Sequence, residues 1–337
     1  MNRKHDSLET NVSQQPQLQR LLRQAVSEKG MAHAYLLSGP DSSGLVRAAL
    51  TVACSGKCKE KRAVPCGLCS ECTRVIEGNH PDIHLVCPDG DTLKLEQVLR
   101  LQSVLHMKSN EAGDKVGIMA DAENMSLPAA NSLLKILEDP PAKTTIILTA
   151  RNAGRLPPTV LSRCQEVRLS PLPPEAMAER LVAGGVEAPQ AQLAARLCQG
   201  DEERARRWLD GQDLLDLTCQ IAGDITSLHE EDPLMLAQRW ENRGKDKDDL
   251  SLQLEIGLLL FRDALVSKAQ EDSASQMAVA HDLSLDLDVQ GLSDCIRMVL
   301  RTQDYIRSRV NARLALDAMF MALRGVIRYA GSCRDSF

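Results

Sequence analysis

Aromatic residues are nearly absent from this chain: three Phe, three Tyr and two Trp in 337 residues. Proteins that hold single-stranded nucleic acid by stacking its bases use aromatic platforms, so the composition argues against that class. Positive charge is not in excess either. Forty Lys and Arg stand against 46 Asp and Glu, a net charge of −6, so the chain as a whole does not attract a polyanion, although a local basic face stays open. No apolar run approaches the ~20 residues that cross a bilayer, and the start, MNRKHDSLET, has no apolar signal core. We therefore expect a cytoplasmic protein with no membrane partner.

What is present is an ordinary soluble composition, 43% hydrophobic and 26% charged. The length exceeds one compact core and points to two or three domains. Cysteine is unevenly spread. Of eleven, five fall between Cys54 and Cys72, and in a cytoplasmic chain such clustering points to metal binding or redox chemistry.

Residues 1–12 are polar and read as a frayed start. The spacing of Leu18, Leu21, Leu22 and Val26 predicts a helix ending at Gly30. AYLLSG, DIHLVCP, KVGIMADA, TTIILTA and EVRLS then read as five strands separated by helical stretches. Among these, SLPAANSLLKILEDPP begins at a capping Ser126 and stops at Pro140-Pro141. Strands alternating with helices predict a parallel α/β sheet with crossover helices. The pattern changes at SPLPPEA, and no strand is expected beyond it. We divide the chain into an α/β domain at 1–171, with a cysteine module at about 54–80, a small helical domain at 172–212 and an all-α domain at 213–337. The charged run ENRGKDKDDLS, residues 241–251, reads as a solvated loop between helices.

Four local patterns carry chemistry. GPDSSGLV places Gly39 and Gly44 at the two glycine positions of a phosphate-binding loop, G-x-x-x-x-G-K-[ST]. Leu45 and Val46 stand where the lysine and the magnesium-binding hydroxyl belong, and neither can do that work. Taken alone, the glycines would make only a tight strand-to-helix turn. The strand ending MADAENMS puts Ala120 where a metal carboxylate is expected, with Asp121 and Glu123 just after it. Two losses in one nucleotide site argue against ATP hydrolysis. CGLCSEC sets Cys66, Cys69 and Cys72 at two-residue intervals, a spacing suited to one tetrahedral structural zinc. The fourth ligand is Cys54 or Cys58, with His80 a weaker candidate. Finally, LPPTVLSRC ends a short helix on Arg163 between Ser162 and Cys164. A lone arginine there would be a surface residue, but one supplied to a neighbour can neutralise a transferred phosphate.

In this order HAYLLSGP, CGLCSEC, NHPDIHLV, NSLLKILEDPP and LSRC resemble the bacterial clamp-loader AAA+ family across nearly the whole AAA+ core. That family loads a ring-shaped sliding clamp onto primed DNA. The resemblance implies an AAA+ domain, a helical lid and a helical collar used for oligomerisation. Within the family the zinc module occurs in gamma/tau motor subunits, whose loop is intact, and in a subunit type whose loop is commonly damaged but which keeps the Ser-Arg-Cys arginine. With Leu45, Val46 and Ala120 beside an intact Ser162-Arg163-Cys164, this chain resembles the second type. Arg163 would then serve the ATP site of a neighbouring motor subunit, with Ser162 beside it. Gly39 and Gly44 would be vestigial, and ATP would be held by the neighbour. Cys66, Cys69 and Cys72 would bind structural Zn2+, with Cys54 favoured as the fourth ligand because it closes its helix as the family's first cysteine does, and Cys58 as its alternative. Implied partners are the gamma/tau and delta subunits, the clamp indirectly, and primer-template DNA in the assembled complex. The alternative is an ATP-hydrolysing gamma/tau-like motor with an atypical nucleotide site; Leu45 is the residue that separates the two readings. A zinc-dependent nucleic-acid-binding module is a third reading, and the acidity and missing aromatics count against it.

Overall fold

The structure is a computed structural model and describes residues 15–27, 31–60, 64–90, 92–107, 114–211, 213–244, 247–270, 287–308 and 311–332. The polar start and Gly30 lie outside them. The chain forms two compact units. The first is residues 1–177 with 199–204, and the second is residues 178–198 with 205–337.

The first unit runs α1 (Pro16–Val26), β1 (Ala34–Ser38), α2 (Ser42–Lys57), α3 (Ser70–Ile76), β2 (Ile83–Val86), α4 (Leu95–His106), β3 (Lys115–Met119), α5 (Leu127–Glu138), β4 (Thr144–Ala150), α6 (Pro158–Leu161) and β5 (Gln165–Arg168). A 3-10 turn, Ala122–Asn124, lies between β3 and α5. The strands stand in the order β2-β3-β4-β1-β5, and every pairing is parallel. The expected α/β class with crossover helices is borne out.

The three central strands are buried along their whole length, as a parallel sheet covered on both faces requires. Alternation sends Tyr35, Leu37, Val116, Ile118 and Ile147 to one face, against Leu18 and Leu22 of α1 and Ala49 and Val52 of α2. Leu36, Met119, Ile146 and Leu148 face the other way, against Leu101 of α4, Leu133 and Leu137 of α5 and Val160 of α6. Gly117 allows α4 to sit close on β3: a Cβ there would lie 2.9 Å from Leu105 Cδ1. Buried Lys115 donates from Nζ to the carbonyls of Val104 and Met107 at 2.8 and 2.6 Å. This places a cation at the C-terminus of α4, where the Val104 carbonyl also accepts the Met107 N–H at 3.2 Å. The short edge strands β2 and β5 are half-exposed.

β1 lies between β4 and β5, so the chain leaves β1 toward one side of the sheet and returns on the other. Parallel sheets hold ligands outside the carboxyl ends of the strands at such a switch point. The loop after β1 opens there.

Beyond residue 170 the described residues form helices and no strand, as expected. α7 (Pro174–Ala183), α8 (Ala188–Leu197) and α9 (Glu202–Gly211) are short, and residues 174–177 of α7 and 202–204 of α9 belong to the first unit; α10 (Leu214–Thr226), α11 (Pro233–Arg243), α12 (Lys247–Gln270), α13 (Val289–Arg307) and α14 (Ala312–Ser332), in the second unit, are longer. α12 buries Leu252, Leu254, Ile256, Leu258, Leu260 and Phe261, which lie all round its circumference, as a central helix must. α8, α10, α11 and α13 pack against it, and α14 closes the unit on α11 and α13. The rings of Trp240 and Phe320 meet edge to face at 5.1 Å. The charged run at 241–251 is not one loop. It spans the end of α11 and the start of α12, with residues 245 and 246 outside the described set.

Asp224 is 4% exposed and is the polar centre of this unit. Its carboxylate accepts hydrogen bonds from Arg239 Nη1 at 2.6 Å, from Arg243 Nη2 at 2.9 Å and from Trp240 Nε1 at 2.9 Å. Removing the carboxylate takes the acceptor from buried Trp240 and from Arg243, while half-exposed Arg239 keeps Glu231 at 2.6 Å; breaking a buried charge network costs about 3–5 kcal/mol. Asp224→Ala is therefore expected to destabilise the helical unit by about that much. Urea unfolding followed by tryptophan fluorescence checks it, and a loss below ~1 kcal/mol, typical of a surface pair, would mean the network is dispensable.

Candidate functional site

β1 ends at Ser38, and only three residues separate it from α2. Gly39 is required by close approach, because a Cβ there would lie 2.7 Å from the Leu169 carbonyl oxygen. The helix starts at Ser42 rather than at the second glycine, and Leu45 N–H already donates to the Asp41 carbonyl at 2.9 Å. The Asp41 carboxylate folds back over this first turn, where a Cβ on Gly44 would lie 2.4 Å from Asp41 Oδ2. Gly44 thus makes room for the protein's own carboxylate. That anion sits where a helix N-terminus attracts one.

The surroundings of the loop are acidic. Asp41 accepts from Ser43 Oγ at 2.9 Å, and Arg47 bridges Asp41 at 3.4 Å and Glu202 at 3.0 Å. Ser42 Oγ donates to Asp121 Oδ1 at 2.6 Å. Arg47 thus bridges two of these three carboxylates and Asp121 rests on Ser42; acids gathered at the loop repel a polyphosphate. Leu45 is 2% exposed and is part of the core under α2, so its side chain points away from any bound phosphate. Ala120 is buried. Asp121 adopts a left-handed backbone, φ 46°, and donates its N–H to Thr149 Oγ1 at 3.2 Å. Glu123 Oε1 accepts the Arg151 N–H at 2.9 Å. Both acids at this strand end are held by the chain itself. A cavity lined by Gln15, Leu18, Pro40, Leu45, Leu169 and Pro171 remains beneath the loop. The Gln15 amide is paired with both backbone groups of Ser170, at 2.6 and 3.0 Å.

The Ser162-Arg163-Cys164 corner follows the single turn of α6. Ser162 Oγ donates to the Thr159 carbonyl at 3.1 Å. Cys164 turns inward against the core, and burial pushes its thiol up to about 11. Arg163 turns outward. Its Nη1 donates to the Thr159 carbonyl at 2.9 Å, and its Nη2 lies 2.7 Å from Glu138 Oε1.

The cysteine module joins the end of α2 to α3. The sulfurs of Cys58, Cys66, Cys69 and Cys72 lie within 4.8 Å of one another. Four thiolates on one zinc at about 2.3 Å stand about 3.8 Å apart, and Cys66 and Cys72 are separated by 3.8 Å, Cys69 and Cys72 by 3.4 Å. The N–H groups of Cys66 and Cys69 point at the sulfurs of Cys58 and Cys66, each at 3.4 Å. Burial pushes the Cys69 thiol up, but the backbone N–H of Cys72 and the other donors around it outweigh burial and bring it down to about 6. A donor set of four convergent sulfurs, one of them readily ionised, fits zinc.

The favoured fourth ligand, Cys54, is not in this set; Cys58 takes the place. Cys54 lies inside α2, one turn earlier, and is packed into the apolar core at 2% exposure. Cys58 is the C-cap, where the backbone turns out of the helix toward Cys66. His80 is not in the set either: Nδ1 accepts the Asp82 N–H at 3.1 Å, and Nε2 faces Glu71 at 3.4 Å. Fully buried Asp82 lies 3.5 Å from Lys57 Nζ, so the NHPD stretch ties the module to the end of α2. Asp41, Arg47, Glu202 and Glu138 were assigned no role from the sequence. Only Glu138 carried a signal there, as part of the LEDPP motif.

Comparison with known proteins gives a consistent result. The profile of the family described as "DNA polymerase III, delta subunit" matches residues 14–173. The DNA polymerase III subunit delta' of Bacillus subtilis is 30% identical over 317 residues, covering 92% of this chain and 96% of that protein. The protein of the same name from Pseudomonas aeruginosa is 30% identical over 218 residues, 63% of this chain and 66% of its own. The tau subunit of Bacillus subtilis is 28% identical over 232 residues, 67% of this chain and 40% of its own.

Proposed function

The chain belongs to the delta' family of DNA polymerase III, and from that premise we propose that it is a clamp-loader subunit that neither binds nor hydrolyses ATP. It acts as the fixed member of the loader. Through Arg163 it supplies a positive charge to the ATP site of a neighbouring gamma/tau-type motor subunit, which holds the nucleotide. The delta subunit, the clamp indirectly and primer-template DNA are the other partners of this reading. Its setting is the cytoplasm, and residues 172–212 and 213–337 serve as lid and collar.

The observation that supports the reading best is the filled helix N-terminus. Asp41 lies over the first turn of α2, Asp121 is bonded to Ser42, and Leu45 is in the core. A triphosphate would have to displace one carboxylate and approach another, with no lysine to offset the repulsion. A Mg2+ ion would lack the hydroxyl and the strand-end acid that hold it in working sites.

Structural Zn2+ is part of the proposal. Cys58, Cys66, Cys69 and Cys72 would hold it, and the ion would supply a four-thiolate cross-link without an open position for catalysis.

Calorimetric titration of the isolated chain with MgATP tests the central claim. No heat of binding is expected up to about 1 mM, the top of the ordinary range for substrates. Saturable binding accompanied by ATP turnover would instead establish the motor-subunit alternative.

A further inference from the structure

We propose that Glu138 is a positioning residue for the Arg163 guanidinium. This rests on the reading of Arg163 as a group that acts on a neighbour's nucleotide. Glu138 is the last residue of α5. A helix C-terminus is already the negative end of the dipole, so a carboxylate there works against the helix. It is stabilised by a cation from another element, and here Arg163 Nη2 stands 2.7 Å away. The second terminal nitrogen, Nη1, donates to the Thr159 carbonyl.

These two anchors come from two different elements. A guanidinium has five N–H donors in a planar fork, and two anchors on separate nitrogens fix both its position and its plane. Nη1 also reaches Ser162 Oγ at 3.4 Å, and the Nε–H and the second Nη2 proton remain for an oxyanion. The anchors cannot drift apart, because α5 and α6 are locked through Leu133, Leu137, Leu156 and Val160 in one core cluster. The LEDPP and Ser-Arg-Cys motifs, far apart in sequence, thus form one device. Pro140-Pro141 end α5 so that its final carboxylate projects at this point, and the single turn of α6 delivers the arginine to it.

The pair does little for stability. The Glu138 side chain is 54% exposed and that of Arg163 is 35% exposed, a setting in which an ion pair contributes little to folding. Orientation is what it provides. A carboxylate beside an exposed guanidinium also keeps it extended along the domain surface until a more highly charged phosphate competes for it.

The test uses the assembled loader with its motor subunits, clamp and primed DNA. Steady-state ATP hydrolysis is measured against ATP concentration with Glu138→Ala, Glu138→Gln, Arg163→Ala and the double variant in this chain. Glu138→Ala is expected to lower kcat roughly tenfold, within the ~hundredfold that a 1 Å misplacement can cost. KM for ATP should not change, because the neighbour binds the nucleotide. Glu138→Gln keeps an acceptor and should lose less. In the Arg163→Ala background, Glu138→Ala should cost nothing further. Wild-type kcat in Glu138→Ala, or an equal loss when Arg163 is already absent, overturns the positioning role while leaving the arginine's role intact. Arg163→Ala without effect removes both.

Discussion

Replacing Arg163 with Ala in this chain is expected to slow ATP hydrolysis at the neighbouring site it serves by at least about tenfold, with the complex still assembled. An arginine supplied in trans neutralises the charge spread over the transferred phosphoryl oxygens, and related devices contribute about 10³–10⁵ in kcat. The lower bound is used because the motor subunit keeps its own lysine and magnesium, which carry part of that stabilisation. The fold makes the substitution clean. Arg163 points outward, and its bonds are to one carbonyl, the neighbouring Ser162 hydroxyl and one half-exposed carboxylate, whereas Cys164 and Val160 carry the packing of the corner. Folding and assembly should therefore survive the change. ATPase with clamp and primed DNA present is the measurement. Undiminished turnover would reduce Ser162-Arg163-Cys164 to a structural corner and leave this subunit a passive scaffold.

The second large effect concerns the metal. The purified chain should carry one equivalent of zinc, and Cys58→Ala should abolish it whereas Cys54→Ala should retain it. The two cysteines are one helical turn apart and equally hidden from solvent, so burial does not separate them. Position does. The Cys58 sulfur lies within 4.8 Å of those of Cys66, Cys69 and Cys72, whereas that of Cys54 stays outside this set and touches it through a hydrogen bond with Cys72. Structural zinc contributes apparent free energies of about 10–16 kcal/mol in small zinc modules. Much of that is here offset by packing, since α3 also rests on α2 through Val75 and Cys72. A chelator should thus loosen the segment between Cys58 and Ile76 and lower the melting temperature without dissolving the sheet. Metal analysis of both variants decides the ligand, and zinc lost from Cys54→Ala but kept in Cys58→Ala would return the place to Cys54.

The sheet was legible because periodicity and burial agree along it. TTIILTA and KVGIM are apolar on both faces, which only a doubly covered parallel strand allows, and Ser126 and Pro140-Pro141 mark both ends of α5. The short helices of residues 174–211 are separated at Gly185 and Gly200, which take positive φ. The candidate site was only half legible. Leu45 announced the missing lysine, but nothing local told that Asp41 would fold back over Gly44, because that depends on the helix starting two residues early. The cysteine that completes the cluster is the alternative rather than the favoured one, and the difference is a matter of angle. Cys54 and Cys58 differ by one helical turn, and spacing counts residues without reporting where the backbone leaves the helix. The charged run at 241–251 failed because its charges line the ends of two helices. Composition does not distinguish a helix end from a loop when both are solvated.

On the proposed reading, in which this chain binds no ATP, the burial of Leu45 makes the change hard to reverse. In a working loop the residue after the second glycine reaches toward the ligand; here the same backbone position has been recruited into the hydrophobic layer between α2 and the sheet. Restoring a lysine by a single substitution would put an ammonium into that layer, and an unpaired buried charge carries a penalty of several kcal/mol. The reversion would therefore damage the fold before it could help bind ATP, with Asp41 still lying across the helix start. An engineer wishing to build a nucleotide site here must therefore rebuild the loop, the strand-end acid and the underlying packing together.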